Sequence, residues 1–250
     1  MCAIDFRAHT NSDMRALSSF DFLDLWERGF GLHPVDQGLL VLGAVLPETT
    51  YDSLADWSLG RRNQALAELR STYFGPSLQG WTSCERCGEK LEFEVDSGAF
   101  VRGAVGAAEN LSEPIVVKGR SFRLPTSRDL ARAAEETDSY SAAIRILESC
   151  SLGVAASAAW SEEDLEEVGQ RMAMADPMAE ILLNLRCPTC DYECNPTLDL
   201  AAFLWTEIEA RAKRLVFDVH ALASAYGWTE SEILSLSGQR RAVYLEMVHT

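Results

Sequence analysis

The spacing of apolar residues predicts a mostly helical chain. From Ser18, the residues Phe20, Phe22, Leu23 and Trp26 crowd one side of a helix that Gly29 and Gly31 break. A second helix starts near Pro34 and runs through Leu39, Leu40 and Leu42 to Leu46, stopping before Pro47. Leu59, Leu66, Leu69 and Tyr73 then recur at helical steps, and Gly75-Pro76 ends that amphipathic stretch. Thr126 with Asp129 makes a capping pair that opens another helix, and residues 139–150 make the next. Ser161 with Asp164 caps a further one, whose acidic first turn suits the positive helix N-terminus. Asp176-Pro177 starts a helix that carries Ile181, Leu182 and Leu185 toward Cys187. The clearest helix lies in the C-terminal fifth, where Leu204, Ile208, Leu215, Val219, Leu222 and Tyr226 share a face and Glu207–Arg211 and Glu209–Lys213 form favourable pairs. Gly227 ends it, Thr229 and Glu232 form a capping box for a short helix, and a last helix holds Arg240, Arg241, Tyr244, Leu245 and Val248.

Strand signals are few. Residues 90–95 (KLEFEV) alternate polar and apolar, which reads as a half-buried strand. Residues 115–124 read as a strand pair broken at Gly119, a ribbon expected beside the cysteines that precede residue 90. Residues 1–17 are mixed and polar and are expected to be poorly ordered. Residues 103–113 read as a loop and residues 151–159 as a small-residue connector.

Composition narrows the function classes. With 250 residues and 47% apolar content the chain can bury a real core. Its formal net charge of −16 and pI near 4.6 disfavour phosphate backbones and anionic membrane surfaces. Residues 1–10 hold no apolar stretch of signal-peptide type, and the longest apolar run, residues 39–46, is far short of a membrane span. Cytoplasm is the expected compartment, and among the seven cysteines metal ligands or free thiols are expected rather than disulfides.

The chemistry concentrates in two couplets, Cys84-Glu-Arg-Cys87 followed by Gly88, and Cys187-Pro-Thr-Cys190 followed by Asp191. Each couplet can form a knuckle, a tight turn that aims two thiolates at one point, and together they supply the four sulfurs of a closed zinc site. Closing the intervening loop costs a few kcal/mol of chain entropy, growing only logarithmically with length. Structural zinc supplies about 10–16 kcal/mol in finger peptides, so the ion wins. Cys194 is a possible substitute for Cys187 or Cys190, while Cys2 and Cys150 read as a terminal and a core thiol. A thioredoxin-type role for Cys84 and Cys87 is opposed by a strand following where a helix is needed. The halves also echo each other: Leu69-Arg70 and Leu185-Arg186 end helices ahead of the knuckles, and Asp96 and Asp199 each follow a second cysteine by nine residues.

Nothing else reads as catalytic: phosphate-loop, GxSxG and HExxH motifs are absent from the sequence, and His9, His33, His220 and His249 are scattered. His220 reads as a satisfied structural histidine beside the apolar helix face. The last two helices resemble a helix-turn-helix in which Arg240 and Arg241, with Arg61 and Arg62, would have to form a basic face. Trp205 and Trp228 flank the long helix as candidates for a partner surface.

The fold class expected is α+β, predominantly α-helical, with a small β-ribbon and a four-cysteine zinc-knuckle centre joining the two halves. Residues 1–57 form an N-terminal helical segment and 58–250 a zinc-stapled domain. Within the latter, 78–125 hold the first knuckle and ribbon, 126–186 the helical middle, and 187–250 the second knuckle and C-terminal helices.

The CPxC knuckle, Phe203-Leu204-Trp205, the stretch Val219 to Ala223, Tyr226-Gly227-Trp228, Glu232-Ile233-Leu234 and Arg240 to Leu245 together resemble small zinc-ribbon proteins encoded with baseplate genes. These belong to contractile-tailed phages and contractile injection systems, and the group is similar to baseplate hub assembly chaperones. The resemblance covers residues 58–248 and implies one structural zinc on Cys84, Cys87, Cys187 and Cys190. It further implies a non-enzymatic assembly factor or minor baseplate component whose partners are hub or spike proteins, working in the cytoplasm or within the assembled particle. The chain departs from the pattern where Cys84-Glu-Arg-Cys87 lacks proline and where Asp191 stands in place of the usual glycine. The runner-up is a zinc-ribbon regulator that binds DNA or the transcription machinery; an enzyme would need Cys194 or His220 in a cleft beside an incompletely ligated metal.

Overall fold

A computed structural model describes residues 14–98, 114–153 and 160–248. The sequence-based readings of residues 1–13, of the 103–113 loop and of most of the 151–159 connector lie outside them, as do Cys2, His9 and His249. In chain order the described elements are α1 (Ser19–Gly29), α2 (Pro34–Val45), α3 (Tyr51–Ala55), α4 (Leu59–Phe74), β1 (Ser77–Ser83), β2 (Lys90–Asp96), β3 (Ile115–Val117) and β4 (Arg120–Phe122). They continue with α5 (Ser127–Ala133), α6 (Ser139–Cys150), α7 (Glu162–Ala175), β5 (Leu185–Arg186), β6 (Glu193–Cys194), α8 (Leu200–Tyr226), α9 (Glu230–Ser235) and α10 (Gly238–Val248). Predominantly helical structure with small antiparallel ribbons is as the sequence pattern predicts.

Contacts group the chain into two compact units, Met1–Thr49 with Leu204–Thr250, and Thr50–Phe203. In the first, Ser18 caps α1: its hydroxyl accepts from the Asp21 N–H, and the Asp21 carboxylate accepts from the Ser18 N–H. Phe22, Leu25 and Gly29 form the buried face of α1. At Gly29 that face meets Trp205 of α8 so closely that a Cβ would lie 2.1 Å from the indole ring. Pro34 opens α2, and His33 Nδ1 accepts from the Val35 N–H, 3.3 Å away. His220, expected as a satisfied structural histidine beside the apolar helix face, is exposed on α8. Trp205 is half-buried against Gly29, and Trp228 stacks on Tyr226 with ring centroids 4.7 Å apart and meets Tyr244 edge-on. Both tryptophans are therefore engaged within their own unit.

In the second unit Ser58 caps α4, and the buried Asp176 carboxylate accepts from the Gly60 N–H at 2.9 Å, placing an anion at the positive end of that helix. The β3–β4 hairpin packs with α6 and α7 in a core of Val117, Phe122, Leu147, Cys150, Val168 and Met172. Asp129, its side chain fully buried, holds this region to α5 by a bidentate pair with Arg123 (2.6 and 2.9 Å) and by accepting from the Thr126 N–H and hydroxyl. Thus 115–124 form the expected strand pair, but within a helical core. The ribbon at the first knuckle is β1 with β2, paired from Ser77↔Asp96 to Ser83↔Lys90. β1 (SLQGWTS) is polar at both ends and interrupted by Gly80, which hides it from a hydrophobic pattern; Gly80 is needed because Phe93, its cross-strand partner, covers the space a Cβ would fill.

Residues 177–186, expected to be helical, form no helix. Ile181 and Leu183 are buried while Leu182 is 52% exposed, a period of two. Residues 177–180 turn, and from Ile181 the backbone is extended: Leu198 N–H donates to Ile181 O and Leu183 N–H to Pro196 O, and β5 pairs with β6. Leu185-Arg186 thus belongs to a strand, unlike Leu69-Arg70, and the echo of helices ahead of the knuckles does not hold.

Candidate metal centre

The echo holds in the knuckles themselves. Cys84 N–H donates to Glu89 O and Gly88 N–H to Cys84 O, each at 2.8 Å; Cys187 N–H donates to Tyr192 O and Asp191 N–H to Cys187 O, each at 2.9 Å. Corresponding residues are 103 positions apart throughout, and the strand register follows: Ser83↔Lys90 matches Arg186↔Glu193, and Thr82↔Leu91 matches Leu185↔Cys194. Each knuckle is therefore the turn of a β-hairpin, and two hairpins of one pattern present their turns to each other. Thr189 Oγ1 donates across them to Glu89 Oε2 at 3.0 Å.

Both turns need a residue with positive φ after the second cysteine. Gly88 supplies it at 75°, and Asp191 adopts 58°, a region that aspartate enters at less cost than most residues. Arg186 grips Asp191 in that position, with side-chain contacts of 2.7 and 2.8 Å. The missing glycine of the second knuckle is thereby accommodated.

The sulfurs of Cys84, Cys87, Cys187 and Cys190 all lie within 4.8 Å of one another and together could hold a metal ion. Across the knuckles, Cys84 is 3.7 Å from Cys190 and Cys87 is 3.6 Å from Cys187. All four are free thiols, since a disulfide needs about 2.05 Å. Cys84 and Cys187 are buried with Leu91 and Cys194 behind them, whereas Cys87 is exposed and Cys190 half-buried.

Four thiolates this close repel one another. Burial pushes the Cys84 thiol up, but the backbone N–H groups of Cys87 and Arg86 and the neighbouring thiols together hold it down to about 6. At Cys87 the Glu89 N–H favours the thiolate, yet the thiols of Cys190, Cys187 and Cys84 push it up to about 12. Burial also raises Cys190 and Cys194. A bound dication would remove this conflict, because it favours thiolate at every ligand.

Cys194 is buried, with its sulfur 3.8 Å from that of Cys84. It lies beside the four-sulfur group, and the set held within one 4.8 Å span is the one predicted from the couplets. Its position opposite Leu185, one residue beyond the turn, is what sequence reading missed; the alternation of residues 181–187 was the available signal.

Three of the four arginines required for a basic face are otherwise employed, and Arg240 is exposed on α10. Arg62 is buried and donates to Asn63 Oδ1 and Ser127 Oγ, and Arg61 stacks over Trp57, 4.0 Å from the ring centroid. Arg241 is buried and pairs with Asp218 at 3.0 Å. No helix among the described residues is long and apolar enough to cross a membrane. Comparisons with protein families, with curated proteins and with solved structures find no match to this chain.

Proposed function

We propose that Cys84, Cys87, Cys187 and Cys190 hold one zinc ion as a structural staple. On that reading the protein acts without chemistry of its own, as an assembly factor or minor component of the baseplate of a contractile phage-tail-like particle. The observation carrying the staple is the sulfur spacing. A tetrahedral ion with a metal–sulfur distance of about 2.3 Å has ligand–ligand edges of about 3.8 Å, against 3.6 and 3.7 Å across the knuckles. Four sulfurs fill the tetrahedral shell, so the ion keeps no open position for substrate or activated water.

The baseplate role rests on the resemblance of the knuckles and C-terminal helices, and hub or spike proteins are the partners it implies. A role through protein contacts in the cytoplasm accords with the acidic balance of the chain, and Val216, Phe217, Val243 and Met247 supply exposed apolar groups on the C-terminal helices. The regulator reading loses ground because Arg62 and Arg241 are buried and bonded. The test is co-expression with the products of neighbouring genes, followed by affinity capture and native mass spectrometry. A stoichiometric complex with a hub or spike subunit supports the reading. Capture of RNA polymerase subunits or of duplex DNA, with no baseplate subunit, overturns it.

A further inference from the structure

We propose that Cys194 is a resident oxidation partner of the metal site, converting the staple into a disulfide between Cys84 and Cys194 when peroxide reaches the knuckles. The inference rests on the staple reading above. Its ground is the comparison of the two hairpins. At the position behind the turn the first hairpin has Leu91 and the second Cys194, in matching register and buried alike at 4% and 3% exposure. A core position of this kind needs only an apolar filler, and leucine serves in the first hairpin. In the second, a sulfur stands 3.8 Å from Cys84 Sγ, scarcely farther than the 3.6 and 3.7 Å between the ligands themselves.

Entry and outcome are separated in space. Cys87 is the exposed residue of the site, while Cys84 and Cys194 are buried. The Cys87 thiolate attacks hydrogen peroxide, the O–O bond breaks, and sulfenic acid and hydroxide result. Cys84 displaces water from that sulfenic acid to give the Cys84–Cys87 disulfide. The Cys194 thiol then attacks Cys84 sulfur, Cys87 leaves as the thiol, and the Cys84–Cys194 disulfide remains. Overall one peroxide takes two electrons from two thiols. With Cys84 held in that disulfide, only Cys87, Cys187 and Cys190 would remain to hold a metal ion, and a bound ion would be released. The end product is buried among Leu91, Leu185 and Cys187, where a dissolved thiol reaches it slowly.

The experiment uses the full chain, reduced, zinc-loaded and then treated with one equivalent of hydrogen peroxide. Released zinc is read with a chromogenic chelator, and alkylated proteolytic peptides are mapped by mass spectrometry. The expected result is zinc release together with a Cys84–Cys194 linked peptide pair as the main product. A Cys194→Ala variant should bind one zinc when reduced, and after oxidation should show only disulfides within the couplets. Zinc release from the unmodified chain with only Cys84–Cys87 and Cys187–Cys190 links would overturn the proposal and leave the staple intact. A reduced chain that binds no zinc would overturn the staple reading, and this inference with it, before any oxidant is added.

Discussion

Replacing Cys187 by serine removes one sulfur from a site that joins residues 100 positions apart, Cys87 and Cys187. Cys187 is 1% exposed, so the hydroxyl would face the other sulfurs in a buried place and bind a thiophilic metal poorly. The size of the effect follows from linkage, because the ion would hold the folded knuckles and leave the unfolded chain. At free zinc about a thousand times its Kd, that adds about 4.1 kcal/mol to stability. The unit containing both knuckles spans Thr50–Phe203; for a body of this size each kcal/mol moves the thermal midpoint by about 2–4 °C. Loss of the staple should therefore lower the midpoint by about 8–16 °C. The assay is thermal and urea denaturation of the parent and of Cys187→Ser, each with and without a zinc chelator under reducing conditions. Chelator should bring the parent down to the variant and leave the variant where it is. Equal midpoints for the two proteins, or an equal chelator effect on both, would refute the reasoning.

Three further outcomes follow from geometry away from the sulfurs. Gly60→Ala should destabilise by about 1–3 kcal/mol in urea titration, because the new Cβ would lie 1.6 Å from Asp176 Oδ1; an unchanged midpoint would contradict that packing. Asp129→Ala should cost about 3 kcal/mol, the low end for a broken buried pair because Arg123 is 37% exposed. Against its burial, which pushes it up, Arg123 and Thr126 hold the Asp129 carboxyl below its ordinary value, so its contribution should be present above about pH 4 and be lost as pH falls through the folded value. Asp176 behaves oppositely: burial raises its carboxyl, so stability should fall as pH rises from the unfolded value through the folded one. Denaturation of Asp176→Asn across pH 3–7 should lack that decline, and an unaltered profile would count against it.

Much of this organisation is written locally. Thr126 with Asp129, Ser161 with Asp164 and Thr229 with Glu232 are capping boxes where the sequence places them, because each depends only on residues three positions apart. The four sulfurs converge as couplet spacing predicts, since each knuckle is a local turn. The failures are non-local. β1 is defined by its pairing with β2, not by its own apolar content. Residues 177–186 invite a helix through Asp176-Pro177, yet Ile181 and Leu183 pair with the 196–198 segment, which extends the second hairpin away from its knuckle. His220 was misplaced for a related reason: a helix face is apolar only with respect to what packs on it.

The most direct measurement of the staple is native mass spectrometry of the reduced full chain beside its Cys187→Ser variant. The account predicts one zinc per parent chain, lost on treatment with chelator or mild acid, and none retained by the variant. A parent chain without metal, or one carrying a disulfide within each couplet, would contradict it.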